Sequence, residues 1–305
     1  MSALRIGTRG SALALAQAGT LAAKLGGELV VIESEGDRSQ DSLASLGGAG
    51  VFVAALRESL LAGDVDAVVH SYKDLPTAPV AGLTVAAVPK RADPRDALCA
   101  TGGLDLDSLP AGARVGTGSP RRRAQLLRRR PDLDVVDIRG NIDTRLARVG
   151  SDDPERRLDA VVLAAAGLER LDRLDAVSEW LSLTSWPSAP AQGALAVETR
   201  TGDQKKVAKL DHKPSRLAAE AERGVLALLE AGCAAPLGAS AIFEDGLLFL
   251  SARVYSLDGA EQLTSSHAAY PEDTPNPAAE LSRRVAEELL AAGAADIAPL
   301  GGDRP

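Results

Sequence analysis

Two short segments of this 305-residue chain recur, in the same order. Residues 5–11 read RIGTRGS and residues 114–120 read RVGTGSP; residues 66–71 read DAVVHS and residues 159–164 read DAVVLA. In each half a short β run leads into a Gly-Thr turn carrying a serine, and a helix-forming stretch follows. Ser11 is suited to cap the helix after it, and the free N–H groups of a helix start attract anions. The two apolar runs have the length and continuity of strands buried on both faces. The repetition predicts two similar α/β lobes, each presenting a Thr/Ser-bearing turn. Lobes of this kind face one another across a cleft, and such clefts favour ligand sites.

The stretches PKRADPRD (89–96) and WPSAPAQGALAVE (186–198) carry the prolines of interdomain connections, the second returning a strand, ALAVE, to the first lobe. The remainder differs in kind. PSRLAAEAERGVLALLEAG reads as a helix with Gly232 as its stop, ASAIFEDGLLFLSARVYSLDG as a hairpin, and NPAAELSRRVAEELLAAGA as a second helix. The expected domains are 1–91 plus 191–210, 95–186, and a small α+β domain over 213–305 that carries Cys233 between its first helix and first strand.

Residues 114–148 hold ten arginines and no lysine against four aspartates, in a chain of net charge −8. Arginine pairs bidentately with carboxylate or phosphate. A solvated helix face suits LLRRRPD; anion binding suits Arg121, Arg122, Arg139 and Arg145. The negative total and the lack of interleaved aromatics speak against nucleic acid, and a small polyanion fits better. VVHSYKDLPT (68–77) leaves a buried strand and at once offers His70, Ser71, Lys73 and Asp74. Sites of α/β proteins lie at such strand ends. Asp74 reads equally as a functional carboxylate and as a turn residue, and His70 as a hydrogen-bonded core histidine. No His/Cys/Asp spacing suits a metal, no phosphate-binding glycine motif occurs, and no apolar run reaches the roughly 20 residues of a membrane span. With no signal-like N-terminus and two cysteines, Cys99 and Cys233, a reducing cytoplasm is expected. Taken alone, Cys233 is by default a structural thiol, although its small-residue loop is not a packed setting.

Taken together, RIGTRGSALALAQA, VHSYKDLPT, DPRDAL, VGTGSPRRRAQL, IRGNIDTRL, AAAGLERL, PAQGALAVE and LEAGCAAPLGA resemble, in order, the porphobilinogen deaminase (hydroxymethylbilane synthase) family from residue 4 to about 240. The resemblance implies two periplasmic-binding-protein-like α/β lobes around a cleft plus a small α+β third domain. It implies a transferase of tetrapyrrole and heme biosynthesis that condenses four porphobilinogen molecules head to tail, releases four ammonia molecules and hydrolyses off the linear product. The chain is primed on a dipyrromethane cofactor in thioether linkage, here to Cys233. It further implies Asp74 as the catalytic carboxylate, and Lys73, Thr117, Ser119, Arg121, Arg122, Arg139 and Arg145 as cofactor-binding residues. Arg9, Ser11, Phe52 and Arg170 match substrate-binding positions, and residues 33–50 match a mobile lid. The dipyrromethane bears four carboxylates and each added ring two more, which accounts for the arginine-rich pattern.

Tyr72, Pro120 and Ala49 depart from the commoner Met, Leu and Lys of the family; Ala49 puts any lid–cofactor ion pair in doubt. A non-catalytic two-lobed binding protein for a small carboxylate would share the lobes and the arginines, but it needs neither the third domain nor Cys233. No pattern demands a partner chain, so the expected enzyme is a metal-free monomer that binds neither nucleic acid nor membrane.

Overall fold

Arg5–Thr8 forms strand β1, and Ser11 caps the helix after it, α1 (Ala12–Leu25), by accepting from the Ala14 N–H at 3.3 Å. A left-handed Gly26 (φ 67°) ends that helix, as its missing Cβ permits. The computed structural model describes residues 3–33, 50–232 and 235–301, apart from the side chains of 50–52. The chain divides into two compact units, Met1–Ala92 with Gly193–Ala219, and Asp93–Gln192 with Glu220–Pro305.

The first unit holds a five-stranded sheet in the order β2 (Glu28–Val31), β1, β3 (Ala67–Ser71), β10 (Leu195–Arg200), β4 (Leu83–Ala87). β1 runs parallel to β2 and β3, while β10 is antiparallel to β3 and β4. Alternate side chains of β3 serve opposite faces. Ala67 and Val69 pack with Ala18 and Leu21 of α1, whereas Val68 packs with Leu56 and Leu60 of α2 (Gly50–Ala62).

The second unit repeats this plan in the order β7 (Asp134–Val136), β6 (Arg114–Gly116), β8 (Ala160–Ala164), β5 (Asp96–Ala100), β9 (Glu179–Leu181). β6 is parallel to both neighbours and β5 antiparallel to both of its own. Each sequence echo therefore falls on matching strands, the first on β1 and β6, the second on β3 and β8. Gly116 is required by packing: a Cβ there would lie 2.6 Å from Leu158 Cδ1 and 2.9 Å from Ile138 Cδ1. Pro120 takes the first position of α3 (Pro120–Arg129), where a missing N–H costs nothing.

A three-stranded antiparallel meander, β11 (Leu237–Glu244), β12 (Leu247–Tyr255) and β13 (Gln262–Ala269), completes the second unit, with a tight turn at Asp245 and Gly246, both at positive φ. β13 carries no alternating signal in QLTSSHAA, and the sequence reading had no strand there. Helix Lys213–Leu228 also stops earlier than expected. Glu230 (φ 48°), not Gly232, turns the chain out, with the Ala231 N–H closing back on Leu226 O at 3.0 Å. From that helix Glu222 accepts the backbone N–H groups of Ala191 and Ala241, both at 2.6 Å, and so joins the return segment to β11.

Two buried carboxylates organise the polar interior. Asp96, fully buried at the start of β5, accepts from Arg122 Nη2 (2.6 Å), Arg121 Nη2 (2.9 Å), Trp186 Nε1 (2.9 Å) and Gln192 Nε2 (2.8 Å). Burial alone would raise its pKa; the charges of Arg121 and Arg122 outweigh it and hold the carboxyl far below the usual range. Glu198 on β10 accepts from Arg57 Nε (3.0 Å) and Nη2 (2.8 Å), and lies 3.0 Å from His70 Nε2. Burial again opposes ionisation, but the bonds from His70 and Arg57 prevail and bring Glu198 down to about 2.

Asp96→Asn leaves two buried guanidinium groups without a counter-charge and is expected to cost about 3–5 kcal/mol in urea denaturation; a loss below about 1 kcal/mol would contradict this role. Glu198 has a folded-state pKa below its ordinary 4.5, so its contribution is complete above that pH and is lost as pH falls toward about 2. That contribution is on the order of 3 kcal/mol. Denaturation midpoints of the parent should therefore drop between about pH 4.5 and 3 more steeply than those of Glu198→Gln.

Candidate active site

Strand β3 ends at Ser71 and passes directly into a single 3-10 turn, Tyr72–Asp74. At this strand end lies a cavity of about 240 Å³ lined on its polar side by Arg9, Ser11, Gln17, His70, Ser71 and Asp74. Arg9 and Ser11 come from the turn after β1, and Gln17 from α1. Gln17, buried in an otherwise Ala/Leu-rich helix, donates from Nε2 to Ser71 Oγ at 2.9 Å. Asp74 is exposed at the rim, and Lys73 is half-buried in the same turn but outside the lining.

The second unit builds a different surface on the matching turn. Thr117 is buried, its Oγ1 accepting from the Ser119 N–H at 3.2 Å. Ser119 caps α3 by accepting from the Arg122 N–H at 3.4 Å. Arg121 and Arg122 follow in the first helical turn, both buried. Besides Asp96, Arg121 Nη1 donates to Gln125 Oε1 (2.7 Å) and Pro187 O (2.9 Å), and Arg122 Nη1 donates to Val162 O (3.0 Å). Their Nε–H groups are buried without a hydrogen-bond partner among the described residues. Such orphaned donors cost roughly 1–3 kcal/mol each, and an anionic oxygen brought to them would recover that cost.

Arg145, at the end of helix α4 (Ile142–Leu146), is half-buried with Nε on Gly140 O at 2.8 Å. Burial, then the charges of Arg122 and Arg139, lower its pKa. Arg139 is exposed and pairs with Asp137 at 3.7 Å. Arg170, at the end of helix α5 (Ala165–Arg170), is half-buried and also lowered, chiefly by burial. Arg145 thus feels the like charges of both Arg122 and Arg139, an arrangement that suits a multivalent anion. Together with the orphaned Nε–H donors, this fits a ligand rich in carboxylates, as the dipyrromethane is.

The other arginines of this region are spent structurally. Arg128 donates to Ala260 O, Arg129 pairs with Asp107, and Arg130 holds Asp132 and the carbonyls of Leu106 and Leu109. Cys233, the Phe52 side chain and the lid segment 34–49, Ala49 included, lie outside the described residues. Cys99 is buried in β5, its thiol pushed up to about 11 by burial, which makes it a poor nucleophile. Among the described residues no group of three or more His, Cys, Asp or Glu is placed to hold a metal ion, and no helix is long and apolar enough to cross a membrane.

Asp96, Gln17 and Glu198 carry much of this geometry, and the sequence reading gave them no role. Gln17 had a detectable signal, a polar side chain on the apolar stripe of its helix. Asp96 and Glu198 had only their places at the ends of apolar runs.

Comparison with known proteins agrees along the whole chain. Residues 4–208 match the family described as porphobilinogen deaminase, dipyrromethane cofactor binding domain, and residues 216–291 match its C-terminal domain. The porphobilinogen deaminase of Leifsonia xyli is 56% identical over 99% of this chain and 96% of its own length. That of Thermobifida fusca is 49% identical over 96% of this chain and 95% of its own length. Among solved structures, the methionine-binding protein MetQ aligns with 16% identity and a TM-score of 0.39, covering 68% of this chain and 89% of that one. The chain belongs to the porphobilinogen deaminase family and is a transferase of tetrapyrrole biosynthesis, the hydroxymethylbilane synthase type of enzyme.

Proposed function

We propose that this chain condenses four porphobilinogen molecules on a dipyrromethane held in thioether linkage by Cys233, and that the residues above divide the work as follows. When bound, the dipyrromethane supplies the free pyrrole α-carbon to which the first substrate unit is joined. Arg121, Arg122, Arg139 and Arg145, with Thr117, Ser119 and Lys73, hold its acetate and propionate groups. Arg9, Ser11, Arg170 and Phe52 bind the incoming porphobilinogen. The observation that carries this reading is the pair of buried Nε–H donors of Arg121 and Arg122, without a hydrogen-bond partner among the described residues, together with the charges of Arg122 and Arg139 felt at Arg145.

Asp74 stands just past the end of β3 and lines a cavity to which Arg9 and Ser11 also belong. A carboxylate there stabilises positive charge as it develops on a pyrrole nitrogen and takes up or returns the proton that accompanies it. Arg9 and Ser11 fix the substrate carboxylates, so the reacting carbon is presented in one orientation. The proposed domains are 1–91 with 191–210, 95–186, and 213–305. The proposed working form is a cytoplasmic, metal-free monomer that binds neither nucleic acid nor membrane.

Intact mass of the purified protein should exceed the sequence mass by two linked pyrrole units, an addition absent from Cys233→Ser; equal masses would sink the assignment of Cys233. Asp74→Ala should keep its melting temperature and its mass addition while kcat falls by on the order of a hundredfold or more. Near-normal turnover would remove Asp74 from the chemistry.

A further inference from the structure

β3 and β10 pair antiparallel, with His70 opposite Ala196 and Glu198 opposite Val68, so His70 and Glu198 share one face. Both are buried. Glu198 has each carboxylate oxygen on Arg57 and lies 3.0 Å from His70 Nε2. Both of its oxygens already accept from Arg57, as a carboxylate's do, so the hydrogen of the His70–Glu198 bond belongs to Nε2. A neutral ring protonated there keeps a lone pair on Nδ1, which has no hydrogen-bond partner among the described residues. The same ring lines the cavity that contains Ser71, Asp74 and Arg9.

We propose that His70 is a substrate-binding residue, held by Glu198 with its proton on Nε2, whose Nδ1 accepts a hydrogen bond from the ammonium of the substrate's aminomethyl group. An ammonium has three donors, and His70 Nδ1, Ser71 Oγ and Asp74 supply three acceptors among the residues that line the cavity. Arg9 and Ser11, which line the same cavity, suit the carboxylates of the same molecule. The inference rests on the porphobilinogen reading of this cavity and adds to it a determinant for the aminomethyl substituent. Arg57 and Glu198 act through His70 and are positioning residues.

The test uses the cofactor-loaded protein and two substitutions that separate the ring nitrogens. In His70→Gln the side-chain amide can still donate to Glu198 but supplies nothing at Nδ1. In His70→Asn a polar group stays near Nδ1 and the link to Glu198 is lost. His70→Gln should raise KM for porphobilinogen about tenfold, the worth of one hydrogen bond to a charged group. Its kcat should move far less, and its mass addition and melting temperature should match the parent. His70→Asn should melt lower yet raise KM less. A pyrrole analogue with methyl in place of aminomethyl should bind the parent and His70→Gln alike. A KM unchanged in His70→Gln, or raised more in His70→Asn, overturns the inference while leaving the function intact. A parent protein that carries no mass addition overturns the porphobilinogen reading itself, and this inference with it.

Discussion

One buried carboxylate decides what the second unit can be. Arg121 and Arg122 open α3 inside the protein, and two guanidinium groups taken out of water would be untenable without a counter-charge. Asp96 provides it through one Nη2 of each. Because the carboxylate also holds Trp186 and Gln192, the start of β5, the start of α3 and the return segment meet at a single point. Glu222 then ties that segment to β11. The arginines have little freedom to swing, so the fold itself sets their orientation.

The two sheets share a plan and diverge in chemistry at the same places. β3 runs out into His70, Ser71, Lys73 and Asp74, whereas β8 runs out into Ala164, Ala165 and Ala166. The turn after β1 leads into a helix with no acidic or basic residue in its first turn, while the turn after β6 leads into Arg121 and Arg122. One copy of the plan thus carries acceptors at the end of its second echo, and the other carries cations after its first. The two sheets share a frame, and a few residues at strand ends make them chemically different.

Much of this was legible because it is local. The Gly-Thr turns, the serine caps at Ser11 and Ser119 and the apolar runs of β3 and β8 are determined within a few residues of one another. Excess arginine is a matter of composition. What escaped depends on tertiary burial. Asp96 in PRDALCA looks like a residue entering a strand, and only the fold brings Arg121, Arg122, Trp186 and Gln192 around it. Glu198 pairs with residues 128 and 141 positions away. β13 has its register set by β12 rather than by its own pattern, and Glu230 takes a left-handed turn that its type disfavours, one residue past Leu229 and two before the glycine that seemed to invite it.

Why the cluster contains no lysine follows from the same burial. Arg145 and Arg170 both have their pKa lowered by desolvation, and Arg145 is pressed further by its like-charged neighbours. Starting far above neutrality, a guanidinium can absorb that penalty and remain a cation. An ammonium starts about two units lower and, buried among like charges, gives up its proton near neutrality. Where a cation is buried among like charges and meets planar carboxylates, the paired donors of arginine suit it better than an ammonium. The exposed lysines of the chain, at 24, 90, 205, 206, 209 and 213, lie outside this cluster.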